Sequence, residues 1–247
     1  MAKGVPQAKA AFLFLFMIDI IIPVAKDSKH NFIELRYCLR SIEKHLKNYG
    51  NVYIIGIKPD WINNIIHLPA TDKPCSVNKS KNIYDKIILS CNQSALSDNF
   101  IFFSDDHFLL RDFDAEIFPY YHKGLMKEEK RKMMGTYEIV LKNTLELFPE
   151  TFHFNIHSPI VYNKEKFKAM DIDWKPYGYA LKTYYCNTYG ISGEYQPECK
   201  IYEKLTADAI KEILKDRLFF STCSDAFRGE MVKVLQEFYP VKSIYER

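Results

Sequence analysis

The polar segment 104–107, with the sequence S-D-D-H, is the part of this 247-residue chain best suited to chemistry. It follows the apolar run 100–103, whose aromatic and β-branched residues predict a buried strand. Two carboxylates and an imidazole at a buried strand end are unfavourable unless a positive group lies beside them. Because ligands bind at the carboxyl ends of strands in open α/β sheets, we interpret the segment as a site for a divalent cation that holds phosphates. The alternative is an acidic turn that caps the next element, since aspartate is common in turns.

His157 is the second residue with candidate chemistry. It lies in 152–162 (F-H-F-N-I-H-S-P-I-V-Y), which alternates in part and predicts a strand. A single histidine in a strand is more often structural than functional. Against that alternative, an imidazole from a separate strand is what a cation held by the acidic segment needs to complete its protein ligands.

The elements that must position these groups begin with a βαβ unit. Strand 18–24 is followed by helix 31–48, whose apolar residues recur at helical spacing, and then by strand 51–56. Such a unit predicts a parallel sheet with a right-handed crossover. A second helix, 79–95, leads into the strand at Phe100, so the acidic segment ends a later strand of the same sheet.

The start of the chain is apolar from 10 to 24, apart from Asp19. Fifteen residues are too few for a membrane span, and a central aspartate disfavours insertion. A targeting segment is the alternative, but no small-residue cleavage site follows the apolar run. We predict a flexible or apolar leader over 1–16 and one domain over 17–247.

The second half of the chain is less regular. The charge run 128–132 predicts a solvated helix face, and helices are predicted over 133–147 and 231–238. The Tyr-rich stretch 177–195 predicts an irregular flap or acceptor surface. No internal repeat or linker marks a second domain, so we divide the domain into a nucleotide-binding part, 17–115, and an acceptor part, 116–247.

Composition sets broad limits. With 47% hydrophobic and 26% charged residues, the chain is typical of soluble globular proteins. A formal charge of +3 neither requires nor excludes a polyanionic partner. The six cysteines contain no C-x-x-C pair, which argues against a zinc site or a disulfide framework and predicts a reducing, cytoplasmic location.

Several of these segments resemble a known family. The block 34–45 (E-L-R-Y-C-L-R-S-I-E-K-H) and the strand after it resemble the second conserved region of the stealth family of sugar-phosphate transferases, which includes capsular polysaccharide phosphotransferases. In that family the region ends in a strand closing on paired aspartates, matched here by F-I-F-F-S-D-D-H-F-L-L. Strand 18–24 is similar to the first region and 157–167 to the third. The last region is echoed by 219–227 and 235–246, so the resemblance covers most of the chain in the family's order.

One departure separates the chain from that pattern. The family's first region continues with a T-W-V-D-G type sequence, whereas this chain continues with Pro23-Val24 and then A-K-D. A strand that runs into such a pair looks more like the opening of GT-A glycosyltransferases, and the D-D-H cluster is compatible with the metal motif of that superfamily. The resemblance implies an α/β fold with a GT-A-like (Rossmann-like), mostly parallel central sheet flanked by helices and an irregular C-terminal acceptor region.

Both resemblances imply Mg²⁺ or Mn²⁺ bridging the phosphates of a UDP-sugar donor. Asp106 is the predicted direct ligand, with Asp105 beside it, and His107 or His157 completes the metal ligands. The ion would neutralise charge on the leaving phosphate.

The remaining predicted site residues would hold the donor. Arg36 and Arg40 lie one helical turn apart, so they share a face and would clamp the transferred phosphate or order the nucleotide loop. With Asp105 and Asp106 they form the predicted catalytic set. The residues assigned to donor binding are Pro23, Val24, Lys79, Lys81, Lys86, Ser104 and Lys182. For the helix lysines, an ordinary solvated face is the alternative.

Two reactions share this donor site. Attack at the anomeric carbon releases UDP, whereas attack at phosphorus releases UMP. The altered first strand and the D-D-H cluster favour a glycosyltransferase acting on a glycan or on another hydroxyl, such as that of a modified DNA base. Sugar-1-phosphate transfer is the first alternative, and a non-catalytic carbohydrate- or nucleic-acid-binding module is the second. Spacing does not select a general base among Asp173, Glu194 and Asp225.

Overall fold

A computed structural model describes residues 17–26, 30–128, 135–227 and 229–247. The leader predicted over 1–16 and most of the charge run 128–132 lie outside the described residues.

The described residues form twelve strands and seven α-helices. The strands, in chain order, are β1 (Ile18–Val24), β2 (Leu46–Lys47), β3 (Tyr49–Gly56), β4 (Ile66–Leu68), β5 (Asn99–Phe102), β6 (His107–Leu109), β7 (Phe113–Asp114), β8 (Tyr121–His122), β9 (Ile160–Asn163), β10 (Glu194–Tyr195), β11 (Lys200–Ile201) and β12 (Phe219–Thr222). The α-helices are α1 (Ile33–His45), α2 (Cys75–Cys91), α3 (Thr136–Leu147), α4 (Lys164–Lys168), α5 (Leu181–Thr188), α6 (Ala207–Leu214) and α7 (Glu230–Phe238).

The central sheet has five strands in the order β4-β3-β1-β5-β9. The first four strands are parallel, and β9 runs antiparallel to β5. This arrangement confirms the predicted α/β class with a mostly parallel sheet flanked by helices. Because β1, β3 and β5 point the same way, their carboxyl ends share one edge, and the acidic segment 104–107 leaves β5 at that edge.

Both faces of the central sheet are buried, which explains the continuous apolar sequence of β1. Ile20 and Ile22 pack in one core cluster with Leu35 and Leu39 of α1. Ile21 points to the other face and packs in a second cluster with Ile87 of α2. The alternation along the strand therefore serves two helical layers rather than a core and solvent.

Asp19 is the one charged residue of β1, and it is 3% exposed. Its carboxylate accepts hydrogen bonds from the backbone N–H of Asn51 at 2.6 Å and of Ser97 at 2.9 Å. These bonds join the starts of β1 and β3 to the loop before β5. The aspartate that disfavours a membrane span is thus satisfied at the amino end of the sheet.

A smaller sheet continues from the acidic segment. Strand β6 pairs antiparallel with β12, and β12 pairs parallel with β11. The segment 104–107 therefore joins the end of the central sheet to the edge of a second one. Residues from the far end of the chain, on β11, are brought beside it.

The irregular second half contains elements that the sequence pattern did not predict. Helix α5 lies within 177–195, α6 was not predicted, and the strand predicted over 152–162 is limited to β9 at its end. Within the described ranges, no helix is long and apolar enough to cross a membrane.

Candidate active site

The segment after β5 is a closed turn with two aspartates at its tip. The Ser104 carbonyl accepts a hydrogen bond from the backbone N–H of His107 at 3.1 Å, and the Ser104 N–H donates to Nδ1 of the same imidazole at 3.1 Å. The turn is thus held from both sides, and Asp105 and Asp106 occupy its two central positions.

The His107 ring braces this turn. The ring is 2% exposed, and its burial, followed by the charges of Lys182 and His157, lowers the pKa of His107 well below its usual value. Since Nδ1 accepts the Ser104 N–H, the proton of the neutral ring is on Nε2. The lone pair expected from the sequence to bind a metal is already used, so His107 has a positioning function here.

The turn carries an excess of negative charge. Burial, and then the charges of Asp106 and Glu34, raise the pKa of Asp105 from 3.8 to about 7, opposed by a backbone hydrogen bond and by the charge of Lys86. Burial also raises the pKa of Glu34 on α1. Neighbouring like charges disfavour ionisation, so an added cation would stabilise the ionised forms of this cluster of three carboxylates (Glu34, Asp105 and Asp106).

Lys200 on β11 supplies a cation to the turn. Its Nζ lies 3.3 Å from Oδ2 of Asp106, with the two side chains 15% and 21% exposed. The residue comes from 94 positions further along the chain.

A paired imidazole lies beside this cluster. His157 Nδ1 is hydrogen-bonded to Oε1 of Glu198, and Lys123 Nζ lies 2.9 Å from Oε2 of the same carboxylate. Burial by itself would raise the pKa of Glu198, but the hydrogen bond and charge of His157 and the charge of Lys123 lower it well below its usual value. Burial lowers the pKa of His157, against the bond to Glu198. The pair is therefore a carboxylate that orients a neutral imidazole, with the proton on Nδ1 and the lone pair on Nε2.

Lys182 holds the loop that carries this imidazole. Its Nζ donates to the carbonyl of Ile156 at 2.8 Å and to that of Ser158, the residues on either side of His157. Burial lowers the pKa of Lys182 to about 7, opposed by the charges of Asp106 and Glu198. The residue predicted to bind the donor thus lies in the cluster and contacts backbone.

Lys86 lies at the shared carboxyl edge of the central sheet. Its Nζ lies 3.0 Å from the carbonyl oxygen of Val24 and 2.8 Å from Oδ1 of Asp72. Next to it, Gly56 has φ +118° and approaches the Val24 carbonyl so closely that a Cβ would lie 2.1 Å from its oxygen. A cavity of about 430 Å³ opens here, lined by 56–58, His67 and 69–71. Of the predicted donor residues, Val24 and Lys86 therefore meet at one place, and Pro23 precedes Val24 in β1.

The other predicted lysines lie away from this edge. Lys81 pairs with Asp85 at 2.7 Å, and its Nζ lies 5.2 Å from the ring centroid of Trp174. Lys79 is exposed.

Arg36 and Arg40 share a helix face, as predicted, but that face points towards the C-terminus. Arg40 Nε lies 2.6 Å from Oε1 of Glu246, and Arg36 Nε lies 3.6 Å from Oε2. Two other residues of α1 act on the acidic turn. The charge of Glu34 raises the pKa of Asp105, and Sγ of Cys38 lies 3.5 Å from the Ser104 carbonyl oxygen. The structure therefore does not bring the two arginines to the aspartates.

Three residues of the cluster were not singled out from the sequence: Lys123, Glu198 and Lys200. In an extended segment, 198 and 200 project from the same face, so the E-C-K sequence presents a carboxylate and an ammonium together. This pattern is too common on protein surfaces to mark a site by itself. It becomes informative only when β11 is placed against the acidic turn.

The carboxylate oxygens at the turn are suitable ligands for a hard divalent cation. Among the residues that the structure describes, no three His, Cys, Asp or Glu side chains are grouped so as to hold a metal ion alone. Mg²⁺ and Mn²⁺ prefer oxygen, and Mg²⁺ is commonly held by one or two carboxylates plus water and substrate phosphates. Burial, and then the charges of Asp106 and Glu34, raise the pKa of Asp105, and a bound cation would favour the ionised carboxylate.

Comparisons with known proteins agree with the predicted resemblance. The chain is 28% identical over 193 residues to the capsular polysaccharide phosphotransferase cps1A of Actinobacillus pleuropneumoniae, an alignment that covers 69% of this chain and 50% of that protein. The chain thus spans about half the length of this curated relative. No protein-family model matches the chain.

Among solved structures, the chain is similar to a glycosyltransferase involved in the glycosylation of the major capsid of PBCV-1. The TM-score is 0.42 with 12% sequence identity, and the match covers 91% of this chain and 100% of the other.

Proposed function

We propose that this chain is a metal-dependent transferase that moves sugar-1-phosphate from a UDP-sugar to a hydroxyl group of a glycan. The observation that carries this proposal is that carboxylates suited to metal binding and an imidazole suited to proton transfer lie close together. The turn with Asp105 and Asp106 suits a cation and a diphosphate, and the His157–Glu198 pair suits removal of a proton from an acceptor.

The donor is proposed to bind along the carboxyl edge of the central sheet, within the nucleotide-binding part 17–115. The cavity beside Gly56 would take the nucleoside, since ligands of open α/β sheets bind at this edge. Lys86 Nζ lies beside Gly56, 3.2 Å from the position of an added Cβ, and the charge of this lysine also acts on Asp105. The diphosphate would then face the aspartates.

Asp106 and Asp105 would hold the Mg²⁺ or Mn²⁺ ion. When bound, this ion supplies charge neutralisation at the phosphates. Lys182 keeps His157 in place through the two neighbouring carbonyls, and the neutral His107 ring keeps the turn closed.

His157 is the proposed general base. Its Nδ1 is bonded to Glu198, so Nε2 is the atom that would take the proton of the acceptor hydroxyl. The ionised Glu198 would stabilise the imidazolium that forms, and Lys123 would hold that carboxylate in place. The acceptor part 116–247 contributes all three residues.

The two candidate reactions break different bonds of the donor, and the similarity to the curated relative favours one of them. The curated relative is named as a phosphotransferase, which favours attack at phosphorus and release of UMP. Glycosyl transfer with release of UDP is the second candidate, favoured by the strand that runs into Pro23-Val24 where the stealth pattern has other residues.

Product analysis with UDP-GlcNAc or UDP-glucose and Mn²⁺ separates these reactions. We expect UMP. UDP as the product would establish glycosyl transfer, whereas a lack of turnover together with no Mn²⁺-dependent UDP binding would favour a non-catalytic binding module.

Asp106→Asn should abolish both turnover and Mn²⁺-dependent UDP binding, because the variant loses the carboxylate that would hold the ion directly. Asp112→Asn is the matched control. Asp112 is an exposed aspartate that pairs with His45 at 2.9 Å, and its loss should leave both measurements unchanged. Equal activity of the two variants would contradict the metal assignment.

A further inference from the structure

Lys200 is a cation of the candidate site that the proposed reaction does not yet use. It begins β11, an edge strand of two residues, and its ammonium reaches back to Asp106 across the site. Glu198, two residues earlier, reaches His157 and Lys123. One short extended segment thus places a carboxylate at the proposed base and an ammonium at the proposed metal position.

The contact between Lys200 and Asp106 has the geometry of an exchangeable pair. Its length, 3.3 Å, exceeds the 2.7–2.9 Å typical of strong charge-assisted hydrogen bonds. Both side chains retain partial exposure, and a lysine carries its charge on a flexible stem. The ammonium can therefore leave the carboxylate without unfolding the strand.

Lys200 also has a limited choice of new partners. A divalent ion at Asp106 would repel the ammonium at close range. Glu198, the nearest carboxylate along the strand, already holds Lys123 and the His157 imidazole. Asp105 is proposed to hold the same ion, and Oε1 of Glu34 lies 3.9 Å from Nε2 of His30. The diphosphate of the bound donor is then the anion left for the ammonium.

We propose that Lys200 is a movable counter-ion, paired with Asp106 in the ligand-free protein and transferred to the donor diphosphate when a divalent ion is held by Asp106. This inference rests on the proposed function. It adds a donor-positioning residue and a reason for metal and nucleotide to bind cooperatively. The ammonium opposes the metal alone but assists the metal and diphosphate together.

Calorimetry of Mn²⁺ and UDP binding tests this proposal without measuring turnover. Lys200→Met should bind Mn²⁺ alone about twofold to fivefold more tightly than the wild type, the range expected for removing a partly exposed ion pair. At saturating Mn²⁺, the same variant should bind UDP more weakly by a similar factor. Lys200→Arg keeps the charge and should restore UDP binding.

Lys204→Met is the matched control, because Lys204 is an exposed lysine on the same segment. It should bind Mn²⁺ and UDP as the wild type does. If Lys200→Met fails to fold, Lys200→Gln, which keeps a polar group at this half-buried position, replaces it in both titrations.

The outcomes separate this inference from the proposed function. A wild-type protein that binds neither Mn²⁺ nor UDP would overturn the proposed function and the inference with it. A wild type that binds both, with Lys200→Met unchanged or weakened towards Mn²⁺ alone, would overturn only the inference. Unchanged UDP affinity in Lys200→Met would overturn the transfer to the diphosphate.

Discussion

At the scale of single residues, the main question is what sets the protonation of His157. Burial lowers its pKa, and Glu198 works in the opposite direction through the hydrogen bond to Nδ1. Because the bond fixes the tautomer, the same contact that stabilises the ring also leaves the lone pair on Nε2, the atom proposed to take the acceptor's proton. The carboxylate therefore acts on orientation as well as on charge.

For the pH dependence, we expect kcat, measured with Mn²⁺ and donor saturating so that Asp105 is ionised, to fall as the pH drops below about 6.5. A general base must be neutral, and burial lowers the pKa of His157 from the usual 6.5. The profile of kcat against pH measures this decrease at acid pH. In His157→Gln, the residual activity should no longer show the part of the decrease that protonation of His157 causes. An identical decrease in that variant would assign it to another group.

Glu198→Gln should lower kcat by about 10²-fold, the lower end of the range for general acid–base catalysis, because the amide neither fixes the tautomer nor stabilises the imidazolium. The affinity for UDP should change little, since Glu198 is not proposed to contact the donor. Glu203→Gln, an exposed carboxylate of the same segment, is the control. A loss confined to KM would contradict the assignment.

At the scale of elements, the end of β3 depends on one glycine. Gly56 combines a φ of +118° with the close approach of the Val24 carbonyl, and that carbonyl also holds Lys86. A side chain here would separate the ends of β1 and β3, where the donor is proposed to bind. The position joins fold stability to site geometry.

Gly56→Ala should lower the free energy of unfolding by more than about 2 kcal/mol, since it adds a clash with backbone to the strain of a positive φ. Gly190→Ala is the matched control, because φ is +61° there and no atom lies within 4 Å of the added Cβ. The control isolates the conformational strain. Urea unfolding measures both variants, and equal losses would show that the clash is relieved by small shifts.

The elements that sequence predicted are those whose pattern is local. Strands β1 and β3 contain continuous apolar runs, helix α1 has apolar residues at helical spacing, and tertiary contacts only shift the ends of these elements. Helix α5 was missed because it is rich in Tyr and Thr, which have low helix propensity, and is held by burial of Tyr185 and Cys186. Such burial cannot be seen in a sequence window.

In the candidate site too, the residues with a local sequence pattern were predicted, and those placed by distant contacts were not. The aspartates of the turn were found because they interrupt an apolar run. The shared face of Arg36 and Arg40 was also predicted, but its direction depends on Glu246, some two hundred positions away. Glu198 and Lys200 reach the turn only because β11 pairs with β12 and β12 with β6. Non-local pairing of this kind leaves no pattern in the neighbouring sequence.

At the scale of the whole molecule, an ion pair and hydrogen bonds of Arg40 hold the C-terminal segment against α1. Arg40 donates to both oxygens of Glu246, at 2.6 and 2.9 Å, and to the carbonyl of Tyr239 at 3.1 Å. The two charged side chains are 7% and 1% exposed. A bidentate pair with this burial connects the first helix to the last residues of the chain.

Arg40→Met should therefore destabilise the fold by about 3–5 kcal/mol, the loss typical of breaking a buried ion pair from one side. Thermal or urea unfolding measures the change. The remaining folded fraction should retain Mn²⁺-dependent UDP binding, because the arginine lies away from the acidic turn. Loss of UDP binding at unchanged stability would instead support the catalytic role predicted from the sequence.

The pH dependence of stability follows from Asp105. Its pKa is about 7 in the folded protein against an ordinary value of 3.8, so the folded state binds this proton more tightly than the unfolded chain. The stabilisation from this group is fully present below about pH 3.8 and is lost as the pH rises through 7. A divalent ion needs the ionised form, and its binding must release the proton.

Mn²⁺ should consequently raise the melting temperature more at about pH 8 than at about pH 5.5. At a concentration of about 100 times Kd, the stabilisation is about 2.7 kcal/mol, which corresponds to roughly 5–10 °C for a chain of this size. Scanning calorimetry at both pH values, with and without Mn²⁺, measures the difference. Asp105→Asn removes the titrating carboxylate, so the shift caused by Mn²⁺ should become smaller and nearly independent of pH. The same pH dependence in that variant would place the linked proton on another residue, and would leave the acidic turn without its proposed coupling to the metal.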